Sequence, residues 1–158
     1  MPADEERTTM IVTELTDSEC FSFLERACFG RLACCKNNVP YLVQLGLVYR
    51  ERCLYVLSTL GQKIEWMREN PNVCVSVDEI ASHADWTSVI VNGTYRELEE
   101  PRYEEERALA HKLLEKHRHF WENPLAERQA KVGDSLIDPI YFCVDIASVS
   151  GLRAKPAL

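Results

Sequence analysis

The stretch Leu54-Tyr-Val-Leu-Ser-Thr-Leu-Gly-Gln-Lys-Ile-Glu-Trp-Met-Arg-Glu-Asn-Pro71 predicts a strand, a corner at Ser58 and Thr59, and a helix with Lys63 in its first turn. Asn70-Pro71 ends that helix, because the residue before a proline disfavours helical conformation. A helix start carries unpaired N–H groups and partial positive charge, so a lysine there is most favourable when an anion is bound. The corner is therefore a candidate phosphate site. An ordinary capped helix with a solvated lysine is the alternative.

The composition is that of an ordinary globular chain and disfavours several classes of protein. A length of 158 residues fits one domain with a sizeable core. The net charge of −7 disfavours nucleic acid as a partner. No apolar run approaches the roughly 20 residues that cross a bilayer, so no membrane association is expected. The first residues, Met1 to Thr9, are polar and acidic and do not resemble a signal peptide.

Cysteine usage indicates a reducing compartment. The number of cysteines is odd, no export signal is visible, and no Cys-x-x-Cys pair occurs. We therefore expect a cytoplasmic protein with free, mostly buried thiols that act as small hydrophobic groups. A catalytic thiol is the alternative, but it has no matched histidine. The seven cysteines are Cys20, Cys28, Cys34, Cys35, Cys53, Cys74 and Cys143.

The first part of the chain predicts a helix followed by three strands. Thr16-Asp-Ser-Glu19 has the pattern of a capping box, and apolar residues at helical spacing extend the helix over 17–27. The strands are predicted over 31–36, 40–49 and 53–57, with polar turns between them. The segment 40–49 is almost continuously apolar, so it is expected to be buried on both faces.

The second part predicts three more strands and a helix. Alternating valines over 73–77 indicate a fourth strand, and Trp86 to Leu98 a fifth, with Gly93 as a bulge or bend. Pro101 is placed at the first position of a helix. The stretch 123–138 is expected to be irregular or loosely helical, and the last strand is expected over 140–149.

This order of elements favours a mainly β fold. Short hairpins join several strands, so the sheet is mainly antiparallel. Six strands with few helices favour a six-stranded antiparallel split β-barrel with peripheral helices, whereas a doubly wound sheet would need strict alternation of strands and helices. We expect an N-terminal lead-in over 1–15, the barrel domain over 16–150 and a C-terminal tail over 151–158.

Several short motifs follow one another in an order typical of one family. They are Gly30-Arg-Leu-Ala33, Pro40-Tyr-Leu-Val43, Leu54-Tyr55, Gly61-Gln-Lys63 with Asn70-Pro71, and Asp85-Trp-Thr-Ser-Val-Ile-Val-Asn-Gly93. The chain thereby resembles the pyridoxamine 5′-phosphate oxidase-like, FMN-binding split-barrel family, and within it most closely the nitroimidazole-resistance-type flavoproteins. The resemblance covers residues 16–98 well and the last strand loosely.

The resemblance implies a homodimer that binds FMN in two symmetric clefts between subunits. Lys63 would contact the FMN phosphate, and Ser58 and Thr59 would lie at the phosphate and the ribityl chain. Other residues would approach the flavin ring, the last two of them from the same or the facing subunit: Val43, Gln44, Leu45, Trp86 and Ser88.

Departures from the family pattern limit the expected chemistry. The stretch Tyr41 to Gly46 lacks the arginine that the pyridoxamine oxidases carry there, so vitamin B6 oxidation is disfavoured. Leu57 and Gln44 stand where the nitroimidazole-resistance branch usually has a histidine and a proline. We expect an FMN-dependent oxidoreductase that passes electrons from a reduced nicotinamide or similar donor to a small organic acceptor. A non-catalytic flavin- or haem-binding module of the same fold is the alternative, with deazaflavin as a third cofactor.

The sequence identifies no catalytic residue and predicts no metal site. His117 and His119 are two apart on a predicted helix, so they point to different faces. His83 lies in a loop beside Asp85, where either a proton donor near a flavin or a solvated side chain is consistent with the pattern. A flavin enzyme does not need a catalytic triad, because the cofactor carries the redox chemistry.

Overall fold

A computed structural model of the chain describes residues 9–116 and 139–157. These ranges contain three helices and eight strands. No helix within them is long and apolar enough to span a bilayer. In chain order the elements are β1 Met10–Glu14, α1 Asp17–Glu25, β2 Phe29–Lys36, β3 Val39–Gly46, β4 Val48–Arg50, β5 Cys53–Ser58, α2 Gln62–Glu69, β6 Asn72–Ser82, β7 Asp85–Glu97, α3 Glu104–Glu115 and β8 Ile140–Pro156.

All the described strands belong to one antiparallel sheet. Its order is β3-β2-β6-β7-β8-β5-β4, and β1 pairs with β8. The sheet curls on itself, because β3 near one end of this order contacts β5 near the other end. The predicted class, a mainly β antiparallel split barrel with peripheral helices, is therefore confirmed. The predicted number of six strands is wrong, since the described residues form eight.

The two ends of the sheet differ from the sequence prediction. The predicted tail from Gly151 onward continues β8 as far as Pro156. Met10–Glu14, which belonged to the predicted lead-in, pairs with this extension, with Val12 opposite Ala154. Met10–Glu14 contains the β-branched run Ile11-Val12-Thr13, which favours a strand, and both segments are held in the sheet by partner strands that are distant along the chain.

The structure also corrects the prediction for 40–49. This segment is not one doubly buried strand, because it is divided at Leu47 into β3 and β4. Val39 and Leu42 are 53% and 62% exposed. The reason is that β3 lies at the edge of the sheet in a single chain. Pro101 is likewise not the first helical residue, since α3 begins at Glu104.

Helices α1 and α2 pack on the barrel through apolar residues at helical spacing. The capping box of α1 is present: the Glu19 amide donates to Thr16 Oγ1 at 3.2 Å, and the Thr16 amide donates to Glu19 Oε1 at 3.1 Å. Ile64 and Met67 of α2 are fully buried in the same core cluster as the inward-facing side chains of the barrel strands. The core therefore fixes α2 against the barrel and positions the corner that precedes it.

Candidate functional site

The predicted corner exists and carries buried hydroxyl groups. Ser58 is the last residue of β5, and both Ser58 and Thr59 are only 6% exposed. They are two of the three buried polar side chains in the described ranges, the third being Thr87. Ser58 Oγ donates to the Thr59 carbonyl at 3.2 Å. Because burial of a hydroxyl is costly unless it is hydrogen-bonded, two adjacent buried hydroxyls mark a position with a specific polar role.

Lys63 lies beside this corner and faces the barrel. It is the second residue of α2, whose N-cap is Gly61, and its side chain is half-buried. Burial raises the pKa of the Cys34 thiol on β2, and the nearby positive charge of Lys63 opposes that rise. The lysine charge is therefore close to β2 and to the N-terminus of α2. The positive charge of Lys63 and the partial positive charge at the N-terminus of α2 both favour a bound anion at this place.

Contacts with β2 and β3 fix the position of α2. The ring of Trp66 packs against Tyr41 of β3, with 5.5 Å between the ring centroids. At the end of the helix, Asn70 Nδ2 donates to the Cys35 carbonyl of β2 at 3.1 Å. The helix is thus attached to the β2–β3 hairpin at its middle and at its C-terminal end. This attachment orients the first turn of α2 before any ligand binds.

The three predicted residues of β3 have different surroundings. Val43 is half-buried and packs against the main core, whereas the Gln44 side chain is exposed. Leu45 is 8% exposed and belongs to that core, so its contribution to a ligand is limited to its main chain. In the described ranges β3 pairs only with β2, and its other edge presents main-chain N–H and C=O groups. β3 also contacts β5, the strand that ends at the corner.

Trp86 and Ser88 lie far from the corner in a single chain. Ser58 pairs with Ile140, the first residue of β8, whereas Trp86 pairs with Ala154 near the end of β8. Strands rise about 3.3 Å per residue, so the two groups are separated by most of a long strand. One chain therefore does not bring these predicted residues together.

The surface around Trp86 and Ser88 is apolar and exposed. Val12, Ala154, Trp86 and Ile80 are successive neighbours across four strands, so they share one face of the sheet. Ile80 is 69% exposed. On the same face, Ser88 lines a cleft together with residues of β1, β7 and β8. We call this face the outer face.

Among the described residues, the predicted loop histidine His83 does not lie at the corner. His83 is exposed in the turn between β6 and β7, as the predicted loop requires. His117, His119 and Trp121 lie outside the described residues. The sequence did not predict a second polar cluster, which forms around Arg96 on the side of β5 that faces α3 and is described below.

Comparison with known proteins places the chain in a family. A family model described as pyridoxamine 5′-phosphate oxidase matches residues 16–153. An uncharacterized protein of Rhizobium meliloti (strain 1021) is 35% identical over 146 residues, which cover 92% of this chain and 97% of that protein. The family model covers the corner and the β6 and β7 residues of the outer face.

Solved structures support the same assignment. A protein from Mesorhizobium loti described as FAD-binding is 37% identical, with a TM-score of 0.76 and coverage of 93% of this chain and 99% of that chain. A proposed 5-nitroimidazole antibiotic resistance protein from Bacteroides thetaiotaomicron has the same fold, with a TM-score of 0.65, 17% identity and coverage of 92% and 89%. The chain belongs to the pyridoxamine 5′-phosphate oxidase-like family.

Proposed function

We propose that this protein is a flavin-dependent oxidoreductase whose cofactor is FMN. The observation that carries the proposal is the buried Ser58–Thr59 pair beside the half-buried Lys63 at the N-terminus of α2. Lys63 gives the phosphate a charge-assisted hydrogen bond, and the helix N–H groups supply further donors. The Mesorhizobium loti relative supports a flavin cofactor. Its description names FAD, which contains the same riboflavin 5′-phosphate unit, so the corner suits the shared part of both cofactors.

The chain's own residues bind and orient the cofactor in this proposal. The exposed edge of β3 offers main-chain groups to the flavin ring, and the core packing of Val43 and Leu45 keeps that edge in place. When bound, the flavin would take up electrons from a reduced nicotinamide or similar donor and deliver them to a small organic acceptor.

We also propose that the protein acts as a homodimer. The cofactor-binding residues predicted on β7 lie at the opposite end of β8 from Ser58, so a site containing both groups needs two chains. The outer face exposes large apolar side chains, including Leu42 and Ile80. Exposed apolar side chains grouped on one face are typical of surfaces that bind another protein. Pairing of two outer faces would bring Trp86 and Ser88 of one subunit toward the corner of the other.

The substitution Ile80→Asp should disrupt this dimer. An aspartate at the centre of an apolar contact loses its hydration without a partner, which costs about 2–3 kcal/mol. The dissociation constant of the dimer should therefore rise roughly a hundredfold. Sedimentation velocity over a concentration series would measure it, and flavin content should fall together with the dimer fraction.

Glu79→Gln is the matched control for the dimer variant. Glu79 is the neighbouring residue on the opposite side of β6, and its ion pair with Arg26 is exposed. Because exposed pairs contribute little, this variant should keep the wild-type association. A monomeric wild-type protein at every concentration, or an Ile80→Asp protein that remains fully dimeric, contradicts the proposed interface.

The cofactor and the activity are tested separately. Purified protein should show a flavin spectrum, and mass spectrometry of the released ligand distinguishes FMN from FAD and deazaflavin. Anaerobic addition of a reduced nicotinamide should then bleach the flavin. Tight flavin binding without reduction by any donor would support the non-catalytic module, and a Soret band would support the haem alternative. A colourless protein that gains no thermal stability from excess FMN or FAD contradicts the proposal, because a ligand of the native state must stabilise it.

A further inference from the structure

Two cysteines and a glutamate converge on the side of β5 that faces α3. They are Cys53 of β5, Cys143 of β8 and Glu106 of α3. The two Sγ atoms and a carboxylate oxygen of Glu106 all lie within 4.8 Å of one another. Cys143 is fully buried, whereas Cys53 and Glu106 are partly accessible. The cluster is therefore closed on one side and open to a small ion on the other.

The strand register disfavours a disulfide between these cysteines. Cys53 pairs with Asp145 and Tyr55 pairs with Cys143, so the two cysteines are diagonal neighbours. Diagonal neighbours in an antiparallel pair are about 7–8 Å apart, whereas the Cα atoms of a disulfide usually lie about 4.4–6.8 Å apart. A metal ion can bridge the two thiols instead. In a tetrahedral Zn²⁺ site, two metal–sulfur bonds of about 2.3 Å place the sulfurs roughly 3.8 Å apart, and the ligand atoms here lie within 4.8 Å of one another.

Arg96 of β7 holds Glu106 and the adjacent Asp145 in place. Arg96 Nη1 donates to Glu106 Oε2 at 2.6 Å, and Arg96 Nε donates to Asp145 Oδ2 at 2.8 Å. Tyr55 Oη donates to Glu106 Oε1 at 3.1 Å. Glu106 Oε1 also accepts from Arg96 Nη2 at 3.0 Å. Oε2 accepts only one of these bonds, so it keeps a lone pair with which Glu106 can bind a metal. Hydrogen bonds of this kind orient metal ligands in known sites.

We propose that Cys53, Cys143 and Glu106 form a binding site for a thiophilic divalent cation, with Zn²⁺ as the first choice. Two sulfurs and one carboxylate are ligands that Zn²⁺ accepts, and they leave a fourth position for water. Each ion replaces two thiol protons, which are released to solvent, so the charge of the cluster does not change. The ion pairs of Arg96 need not break. This site is separate from the proposed flavin corner and does not depend on it.

The position of the cluster suggests what the ion does. Its ligands come from β5, β8 and α3, so a bound ion would link the helix to the two strands beneath it through coordinate bonds. Because the ion binds the folded chain, it should raise the free energy of unfolding, and the increase should grow with the logarithm of the ion concentration above Kd.

Metal titration of the purified, chelator-treated protein tests the proposal. Calorimetry with Zn²⁺ and Cd²⁺ should show one ion bound per chain, accompanied by a rise in Tm. Cys53→Ser should weaken the affinity for the metal ion by about tenfold or more, because it removes one of the side chains that bind the ion directly. Cys28→Ser is the matched control, because Cys28 is also a partly buried thiol but lies outside the cluster. Equal affinities in the two variants, or no saturable binding by the wild type, would overturn the proposal.

Alkylation of the wild-type protein provides a second test that does not depend on a variant folding. Cd²⁺ should protect Cys53 from iodoacetamide, with the modified cysteines mapped by mass spectrometry. Protection confined to other cysteines, or a disulfide between Cys53 and Cys143 in the purified protein, would overturn the proposed site.

Discussion

Replacing Lys63 with alanine should weaken FMN binding by about 1–3 kcal/mol, the scale of a lost hydrogen bond to a charged group. This corresponds to a rise of roughly 5- to 150-fold in Kd. The expected loss is large because Lys63 is half-buried beside the N-terminus of α2, where its charge is only partly screened by solvent. Titration of flavin-free protein with FMN, followed by quenching of flavin fluorescence, would measure Kd.

Two controls separate the phosphate contact from general damage. Riboflavin lacks the phosphate, so it should bind the wild type and Lys63→Ala with equal affinity. Lys36→Ala removes an exposed lysine that pairs with Glu69 near the other end of α2, and it should leave the Kd for FMN within about twofold. An unchanged Kd for FMN in Lys63→Ala, or an equal loss of riboflavin binding, would remove Lys63 from the phosphate site.

The corner could be predicted from the sequence because its determinants are local. A strand pattern, two hydroxyl residues, a glycine and a helical pattern occur within a few residues, and each acts on the backbone next to it. The capping box at Thr16 is local in the same way, and it is present as predicted. The assignment of Lys63 to a phosphate rests on this local pattern and on the resemblance to a family, and it stays a prediction.

Features that depend on strand pairing could not be predicted in the same way. The apolar run over 40–49 looked like a central strand, but its exposure depends on which strands lie beside it, and β3 is an edge strand. In the proposed dimer, Trp86 of one subunit approaches the corner of the other subunit. The sequence pattern of a single chain does not reveal how many subunits associate. The predicted absence of a metal site relied on local spacing. Cys53 and Cys143 are distant in sequence, and only the β5–β8 register makes them neighbours.

Gly93→Ala should destabilise the fold by about 2–3 kcal/mol, as expected when an atom is forced into a filled space. Gly93 was predicted as a bulge, and the β7–β8 register shifts between Asn92 and Gly93. A Cβ added there would clash with the Asp145 carbonyl oxygen and would lie 2.7 Å from a methyl group of Val144. The first contact is with a backbone atom of β8, so the clash can be relieved only if β7 and β8 move apart. Urea unfolding of the variant and the wild type would measure the loss.

Asn92→Ala is the matched control for this position. Asn92 is exposed at the same bulge, so its truncation should change the free energy of unfolding by no more than about 0.5 kcal/mol. The alanine at position 93 also reduces the entropy of the unfolded chain, which offsets up to about 1 kcal/mol of the strain. A Gly93→Ala protein as stable as the wild type would therefore mean that β8 can shift away from β7 at Asp145 at little cost. In that case, the register between β7 and β8, the two longest described strands, would be fixed by contacts other than the close pairing at this bulge.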